Sequence, residues 1–197
     1  RRQRDRTRGE VADALEAMLA AFPVYRTYLQ PDRPARDEDL HEVNRAVEAA
    51  KRLRPEVDGD LLDFVGGLLA LQWPGAPETE FAQMFPQVSA PVMAKGAEDT
   101  AFYRYNRLVS LNEVGGDPAV VGRPLADFHA ETGSSGRRHP HAMLTLATHD
   151  TKRSPDVRAR IGLLSELAGP WDQAVRRWMD ITDRHAGPAG PDLNARY

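Results

Sequence analysis

Asp58-Gly59-Asp60-Leu61-Leu62-Asp63-Phe64-Val65-Gly66-Gly67-Leu68-Leu69-Ala70-Leu71 contains the longest apolar run of the chain, Phe64 to Leu71. Asp58 suits the N-cap of a helix, because its carboxylate can accept from the free N–H groups of a first turn. Leu61, Leu62, Phe64, Val65, Leu68 and Leu69 leave such a helix little polar surface, so it is expected at the centre of a core. The run is far shorter than the roughly 20 apolar residues that cross a bilayer. Trp73-Pro74-Gly75 is the expected stop.

Outward from this helix the pattern stays helical. Upstream, Asp37 opens a helix with Leu40, Val43, Val47, Ala50 and Leu53 on one side, stopped by Pro55. Before it lie a loop with two prolines, Gln30 to Ala35, and the β-branched and aromatic run Val24 to Leu29, read as a short strand. Val11, Leu15, Met18, Leu19 and Phe22 mark one face of a first helix ending at Pro23. Downstream, Glu78 to Tyr105 reads as helical pieces broken at Pro86, Pro91 and Gly96. Gly115 to Pro140 is rich in Gly, Pro and charge. A short helix is expected there near Leu125 to Glu131, then a mobile loop at Thr132-Gly133-Ser134-Ser135-Gly136.

Ala142 to Thr148 is the best strand candidate. Two helices follow, one on Val157, Ile161, Leu164 and Leu167, the other on Trp171, Val175, Trp178 and Ile181; Trp171 and Trp178 fit a core stripe. From Ala186 the tail is rich in Gly and Pro. The fold class is therefore mainly α: a helical subdomain plus one strand at 142–148. Two short strands do not make a sheet, so the neighbours of 142–148 are expected outside this sequence. The chain also begins with Arg1 rather than Met, and we expect a segment of a longer polypeptide.

Composition narrows the function. The 197 residues are 41% hydrophobic and 28% charged, with net charge −3 and no cysteine. That balance argues against nucleic acid or an anionic membrane as partner. It also excludes disulfides and thiolate zinc sites and suits a reducing compartment, so a cytoplasmic protein is expected. The N-terminal arginines, Arg1 to Arg6, read as the solvated start of a helix, and His139-Pro140-His141 as a loop rather than a metal site. No phosphate-binding or nucleophile-elbow motif is present. No metal and no cofactor are expected.

Three polar clusters could carry chemistry. His149-Asp150-Thr151-Lys152-Arg153 follows the strand candidate, and the C-terminal ends of barrel strands face active sites. On local pattern alone Asp150 and Thr151 also serve as turn or cap residues. Lys95-Gly96-Ala97-Glu98-Asp99-Thr100-Ala101-Phe102-Tyr103-Arg104-Tyr105 bunches a lysine and two carboxylates, which equally fit a helix first turn. In Tyr25-Arg26-Thr27-Tyr28, extended backbone would set Arg26 and Tyr28 opposite Tyr25 and Thr27.

Two of these strings, with their surroundings, resemble signatures of maltooligosyltrehalose synthases. The first is Pro91-Val92-Met93-Ala94-Lys95-Gly96 through Glu98 to Leu108, with Ser110-Leu111-Asn112-Glu113-Val114-Gly115-Gly116-Asp117-Pro118. The second is Thr148-His149-Asp150-Thr151-Lys152-Arg153-Ser154, then Asp156-Val157-Arg158-Ala159-Arg160. Tyr25 to Tyr28 is similar to a third. Gly96-Ala97-Glu98-Asp99 stands where the family has Gly-Val-Glu-Asp, and Pro155 stands where an acidic residue is usual.

The resemblance implies the α-amylase clan of retaining enzymes on a (β/α)₈ barrel. Their reaction turns the reducing-end α-1,4 bond of a maltooligosaccharide into an α,α-1,1 bond, an isomerisation. It needs a nucleophile and an acid/base roughly 5 Å apart, with a third carboxylate on the sugar hydroxyls. By motif, Asp150 would be that third carboxylate and His149 its neighbour. Lys152 and Lys95 would hold the released glucose against water, while Arg153, Glu98, Asp99 and Tyr103 support the site or touch sugar.

The nucleophile and acid/base of the clan lie on strands four and five, which have no counterpart here, so the isolated chain is expected to be inactive. Residues 1–140 would form a helical insertion, 141–188 the seventh barrel strand and following helices, and 189–197 an irregular tail. The expected partners are the maltooligosaccharide and the remainder of the same enzyme chain. The rival reading is a non-catalytic helical carbohydrate-binding or interaction domain.

Overall fold

The helix at Gly59–Leu69 forms with Asp58 as its cap: the carboxylate accepts from the N–H groups of Asp60, at 2.9 Å, and Leu61, at 3.3 Å. In this computed structural model, residues 5–105, 107–187 and 190–196 are described. Of the sequence features read above, Arg1 to Arg4, Asn106 in the first motif, and Pro188, Ala189 and Tyr197 in the tail lie outside the described residues. The chain divides into two compact units, Arg1–Asp99 and Thr100–Tyr197. Among the described residues both are built from helices and turns, and no helix is long and apolar enough to cross a membrane.

The first unit holds α1 (Arg8–Ala21), α2 (Asp37–Leu53), α3 (Gly59–Leu69) and α4 (Ala76–Val92), then a π-helical turn at Met93–Glu98. A capping box starts α1: the Thr7 hydroxyl accepts from the Glu10 N–H, and the Glu10 carboxylate accepts from the Thr7 N–H. Asp37, Glu38 and Asp39 open α2, and Lys51 and Arg52 close it, each sign at the end that the helix dipole favours.

As its apolarity requires, α3 is central, packed against α1, α2 and α4. Met18, Val43 and Leu62 are among the most deeply buried side chains. Phe22 meets Phe85 edge-on at 5.2 Å. At Gly66 the backbones of α2 and α3 come so close that a Cβ would stand 2.5 Å from Val47 Cγ2. α3 ends before Trp73, because Leu71 takes φ 57 and the Gln72 N–H reaches back to the Gly67 carbonyl. That is a Schellman-type stop built on a residue with a Cβ.

Two expectations for this unit are corrected. Val24 to Leu29 is not a strand. Its backbone bonds to helix side chains instead: Ser89 Oγ donates to the Tyr25 carbonyl at 2.7 Å, and the Tyr28 N–H donates to Asp39 Oδ1 at 3.0 Å. Nor do Pro86 and Pro91 break α4, which is continuous across both and passes into the π turn through Gly96. Each proline forfeits one ladder bond. After Pro91 the ladder widens, with the Asp99 N–H donating to the Ala94 carbonyl five residues back.

The second unit holds short 3₁₀ turns at Ala101–Tyr103, Val109–Leu111 and Leu163–Ser165, with α5 (Leu125–Arg138), α6 (Pro155–Gly162), α7 (Ala168–Asp183) and α8 (Leu193–Arg196). α6 starts as its sequence demands, with Ser154 as cap and Pro155 in the first turn. The strand expected at 142–148 does not form: the segment is irregular, with Met143 96% and Leu144 95% exposed. A strand exists through its hydrogen-bonded neighbours, and among the described residues there is none beside it.

The loop expected at Thr132 to Gly136 is helix, part of α5. Its terminal charges, Asp127 in the first turn and Arg137 and Arg138 in the last, oppose the cost of the two internal glycines. The tail contains the short helix α8 rather than being wholly irregular. Trp171 and Trp178 do pack on each other edge-on at 5.3 Å, but α7 buries no residue and Trp178 is exposed, so they are not a core stripe here.

The close approach at Gly66 sets a test. Gly66→Ala is expected to destabilise the first unit by about 1–3 kcal/mol, the usual cost of overpacking. Urea unfolding followed by helical circular dichroism measures it; a midpoint at or above the parent's would contradict the packing described.

Candidate functional site

The residues singled out in the sequence fall into two groups, one in each unit. In the second unit, the His149 to Arg153 string forms a tight turn. The Thr148 N–H donates to Thr151 Oγ1 at 2.7 Å, and the Asp150 N–H donates to Thr148 Oγ1 at 3.2 Å. Thr residues favour such turns because a short hydroxyl replaces a backbone acceptor. His149 and Asp150 stand exposed on it. The Lys152 side chain is largely covered, 15% exposed, with Nζ 4.0 Å from Asp150 Oδ1. The turn thus sets the Asp150 carboxylate near the Lys152 ammonium, with the exposed His149 next in sequence; these are groups that can accept from and donate to hydroxyls.

What holds this turn comes mainly from Glu113 and Asn112, which the sequence places in the first motif without giving them a role. Glu113 Oε1 accepts from the Lys152 N–H at 2.8 Å and from the Val114 N–H at 3.0 Å. Arg153 donates from its guanidinium to the Asn112 carbonyl at 2.7 Å. Asn112 is itself buried, and its amide donates to the carbonyls of Phe102, at 2.9 Å, and Tyr105, at 2.6 Å. The second half of the first motif therefore grips the backbone of the second, across 39 residues of sequence. Only glycine fits at 116, where a Cβ would lie 2.4 Å from the Leu111 carbonyl oxygen. A carboxylate two residues before a glycine pair was the available signal, but its partner is a backbone N–H, which no side-chain pattern encodes.

Burial pushes the Glu113 carboxyl up, but the N–H groups of Lys152, Val114 and Arg153, with the charge of Arg158, outweigh it. The net result is a value below the ordinary 4.5. Tyr103, in the Ala101–Tyr103 turn, is exposed, while Phe102 beside it is buried.

In the first unit, Lys95, Glu98 and Asp99 end the π turn. Lys95 Nζ donates to Asp99 Oδ2 at 2.5 Å, with the lysine side chain 77% exposed. Glu98 points the other way: it is buried and accepts from the Tyr25 hydroxyl. A role for Glu98 in supporting the Tyr25 to Tyr28 segment thus fits its place better than contact with sugar. Along that segment Arg26 and Tyr28 are exposed and Thr27 is buried, the alternation that extended backbone imposes. Among the described residues, no cluster of three or more His, Asp or Glu side chains is placed to hold a metal ion.

No family model matches the chain. Over 96 residues it is 52% identical to proteins from two strains of Mycobacterium tuberculosis that carry the provisional name maltooligosyl trehalose synthase. The match takes in 49% of this chain and 12% of each relative. In structure it is similar to a hypothetical maltooligosyl trehalose synthase of Sulfolobus tokodaii, with TM-score 0.60 and 26% identity. That likeness covers 87% of this chain and 21% of the other. The match thus takes in about an eighth of the length of the curated relatives and about a fifth of the solved structure's.

Linkage gives the sign of the pH effect at Glu113. A carboxyl held below its unfolded value lends stability that is complete above about pH 4.5 and is lost as pH falls through the lowered value. Amide hydrogen exchange at Lys152 is expected to speed up as pH drops below 4.5, after correction for the intrinsic rate. In Glu113→Gln that extra acceleration should disappear; an identical pH profile in the two proteins would contradict the Glu113 contact.

Proposed function

We propose that this chain, kin to a segment of the proteins called maltooligosyl trehalose synthase, serves in an isomerase of that kind. The enzyme would convert the reducing-end α-1,4 bond of a maltooligosaccharide into an α,α-1,1 bond by intramolecular glucosyl transfer, in the cytoplasm. The sequence kinship carries this reading, and the match of helical architecture to a solved relative supports it. The maltooligosaccharide and the rest of the enzyme chain are the partners.

In this reading residues 1–140 are the helical insertion, 141–188 the seventh barrel strand with its following helices, and 189–197 a tail. The bare apolar run at 142–148 is then a strand whose neighbours come from other parts of the enzyme, since an unpaired edge with exposed Met143 and Leu144 invites pairing.

Asp150 is the third carboxylate of the site. It accepts from the hydroxyls of the distorted sugar, in contacts that strengthen as positive charge builds on the ring. His149 donates beside it. Lys152 and Lys95 hold the freed glucose while its own anomeric hydroxyl replaces the leaving oxygen, so that water loses the competition. Long flexible ammonium side chains suit a sugar that must turn. By their place in the motifs, Arg153, Asp99 and Tyr103 support the site or touch sugar, and Glu98 supports the Tyr25 to Tyr28 segment. The nucleophile and acid/base belong to other parts of the enzyme, so the 197-residue chain alone is expected to leave maltopentaose unchanged.

In the complete enzyme, Asp150→Ala should lower trehalose-unit formation roughly 10³-fold, matching the several kcal/mol such contacts supply. Lys152→Ala should instead raise free glucose relative to isomerised product. Loss of reducing ends and glucose release, scored together, separate the two effects. Normal turnover in Asp150→Ala, or an unchanged product ratio in Lys152→Ala, would sink the corresponding role.

A further inference from the structure

Three buried side-chain atoms of the second unit have no hydrogen-bond partner within the protein: Asn112 Oδ1, Glu113 Oε2 and Arg158 Nε. Each is costly if left so, because burial strips a polar atom of solvent. The three residues line one small cavity of about 10 Å³, together with Arg153 and the apolar Val109 and Ile161. It lies where α6 packs against the Val109–Leu111 turn. Arg158 is fixed there by the start of its helix, since its N–H donates at 3.0 Å to the carbonyl of the cap residue Ser154. Ser154 in turn follows directly on the Lys152 to Arg153 backbone that Glu113 and Asn112 hold.

We propose that one water molecule occupies this cavity and bonds to all three atoms, so that Arg158 acts as a positioning residue for the turn carrying Asp150 and Lys152. The bonding capacities match. A water that donates to the two acceptors, Asn112 Oδ1 and Glu113 Oε2, can accept from the one donor, Arg158 Nε–H, and three bonds are usual for a buried water. The volume suits a single water and nothing larger. A metal cation would meet the guanidinium groups of Arg153 and Arg158, and an anion would meet Glu113, so the walls favour a neutral occupant. Glu113 is then anchored on both oxygens. Oε1 holds the Lys152 and Val114 N–H groups, and Oε2 reaches through the water to α6 and to Asn112, itself tied to the Phe102 and Tyr105 carbonyls. The charge of Arg158 also helps to keep the Glu113 carboxylate ionised. The consequence for catalysis rests on the isomerase reading above, in which Lys152 must stay on the freed glucose to keep bulk water out.

Water-selective nuclear Overhauser spectroscopy tests the site without any substitution. The Val109 and Ile161 methyl groups should show cross-peaks to a long-lived water, and their absence would overturn the proposal. In Arg158→Met the cross-peaks should vanish, and exchange of the Lys152 amide at neutral pH should speed up about tenfold, as expected for one lost hydrogen bond. The amides of α7 should exchange as in the parent, showing that the unit stays folded. Arg158→Lys keeps the charge but puts a methylene where Nε stands, so it should behave like Arg158→Met. Parent-like exchange with lysine would mean that charge alone acts, and the bonded water would fall. In the complete enzyme Arg158→Met should raise free glucose several-fold relative to isomerised product. An unchanged ratio in an enzyme that isomerises sinks the positioning role alone. Cross-peaks and exchange as expected, in a parent that does not isomerise, sink the enzymatic reading and leave the water-held turn.

Discussion

Backbone that belongs to neither helix nor sheet must still find partners for its N–H and C=O groups. Two of the three motif-bearing segments of this chain depend on that constraint. Tyr25 to Tyr28 is held by Ser89 and Asp39, and the Thr148 to Arg153 turn by Glu113, with Asn112 fixing the turns before it. Asp39, Ser89 and Asn112 are buried, where an unanswered polar group would be costly. Their polarity is the means by which helices and turns position extended chain without a sheet.

The two units use this device on different foundations. In the first, α3 supplies an apolar centre and the anchoring side chains project from the packed helices α2 and α4. In the second, α5, α6 and α7 bury no residue, so polar contacts are most of what orders the turn around Asp150. A surface carboxylate so placed is open to a ligand. It is also only as well positioned as the groups behind it, which makes Glu113 as consequential for the site as the residues that face outward.

Much of the helical layout was legible in the sequence. The cap at Asp58, the opening of α2 at Asp37 and the apolar continuity of α3 are local properties, set by residues within a turn or two of each other. The expected strands failed for one reason: Val24 to Leu29 and Ala142 to Thr148 have the composition of strands, but pairing is a relation between segments. The prolines of α4 misled because their penalty is local, whereas the burial of Phe85 and Pro86 against the rest of the first unit is not.

The residue types of the candidate site, the order of its motifs and their likeness to one enzyme family were determined by the sequence alone. Side-chain chemistry at fixed spacing is written there directly. Which face of Tyr25 to Tyr28 is open, that Glu98 turns inward to a tyrosine, and that Glu113 grips the backbone of Lys152 were decided only by tertiary structure. Each of these joins residues tens of positions apart, often through a backbone group that every residue shares. Such contacts arise when helices pack and chain entropy is already spent, and no local pattern records them.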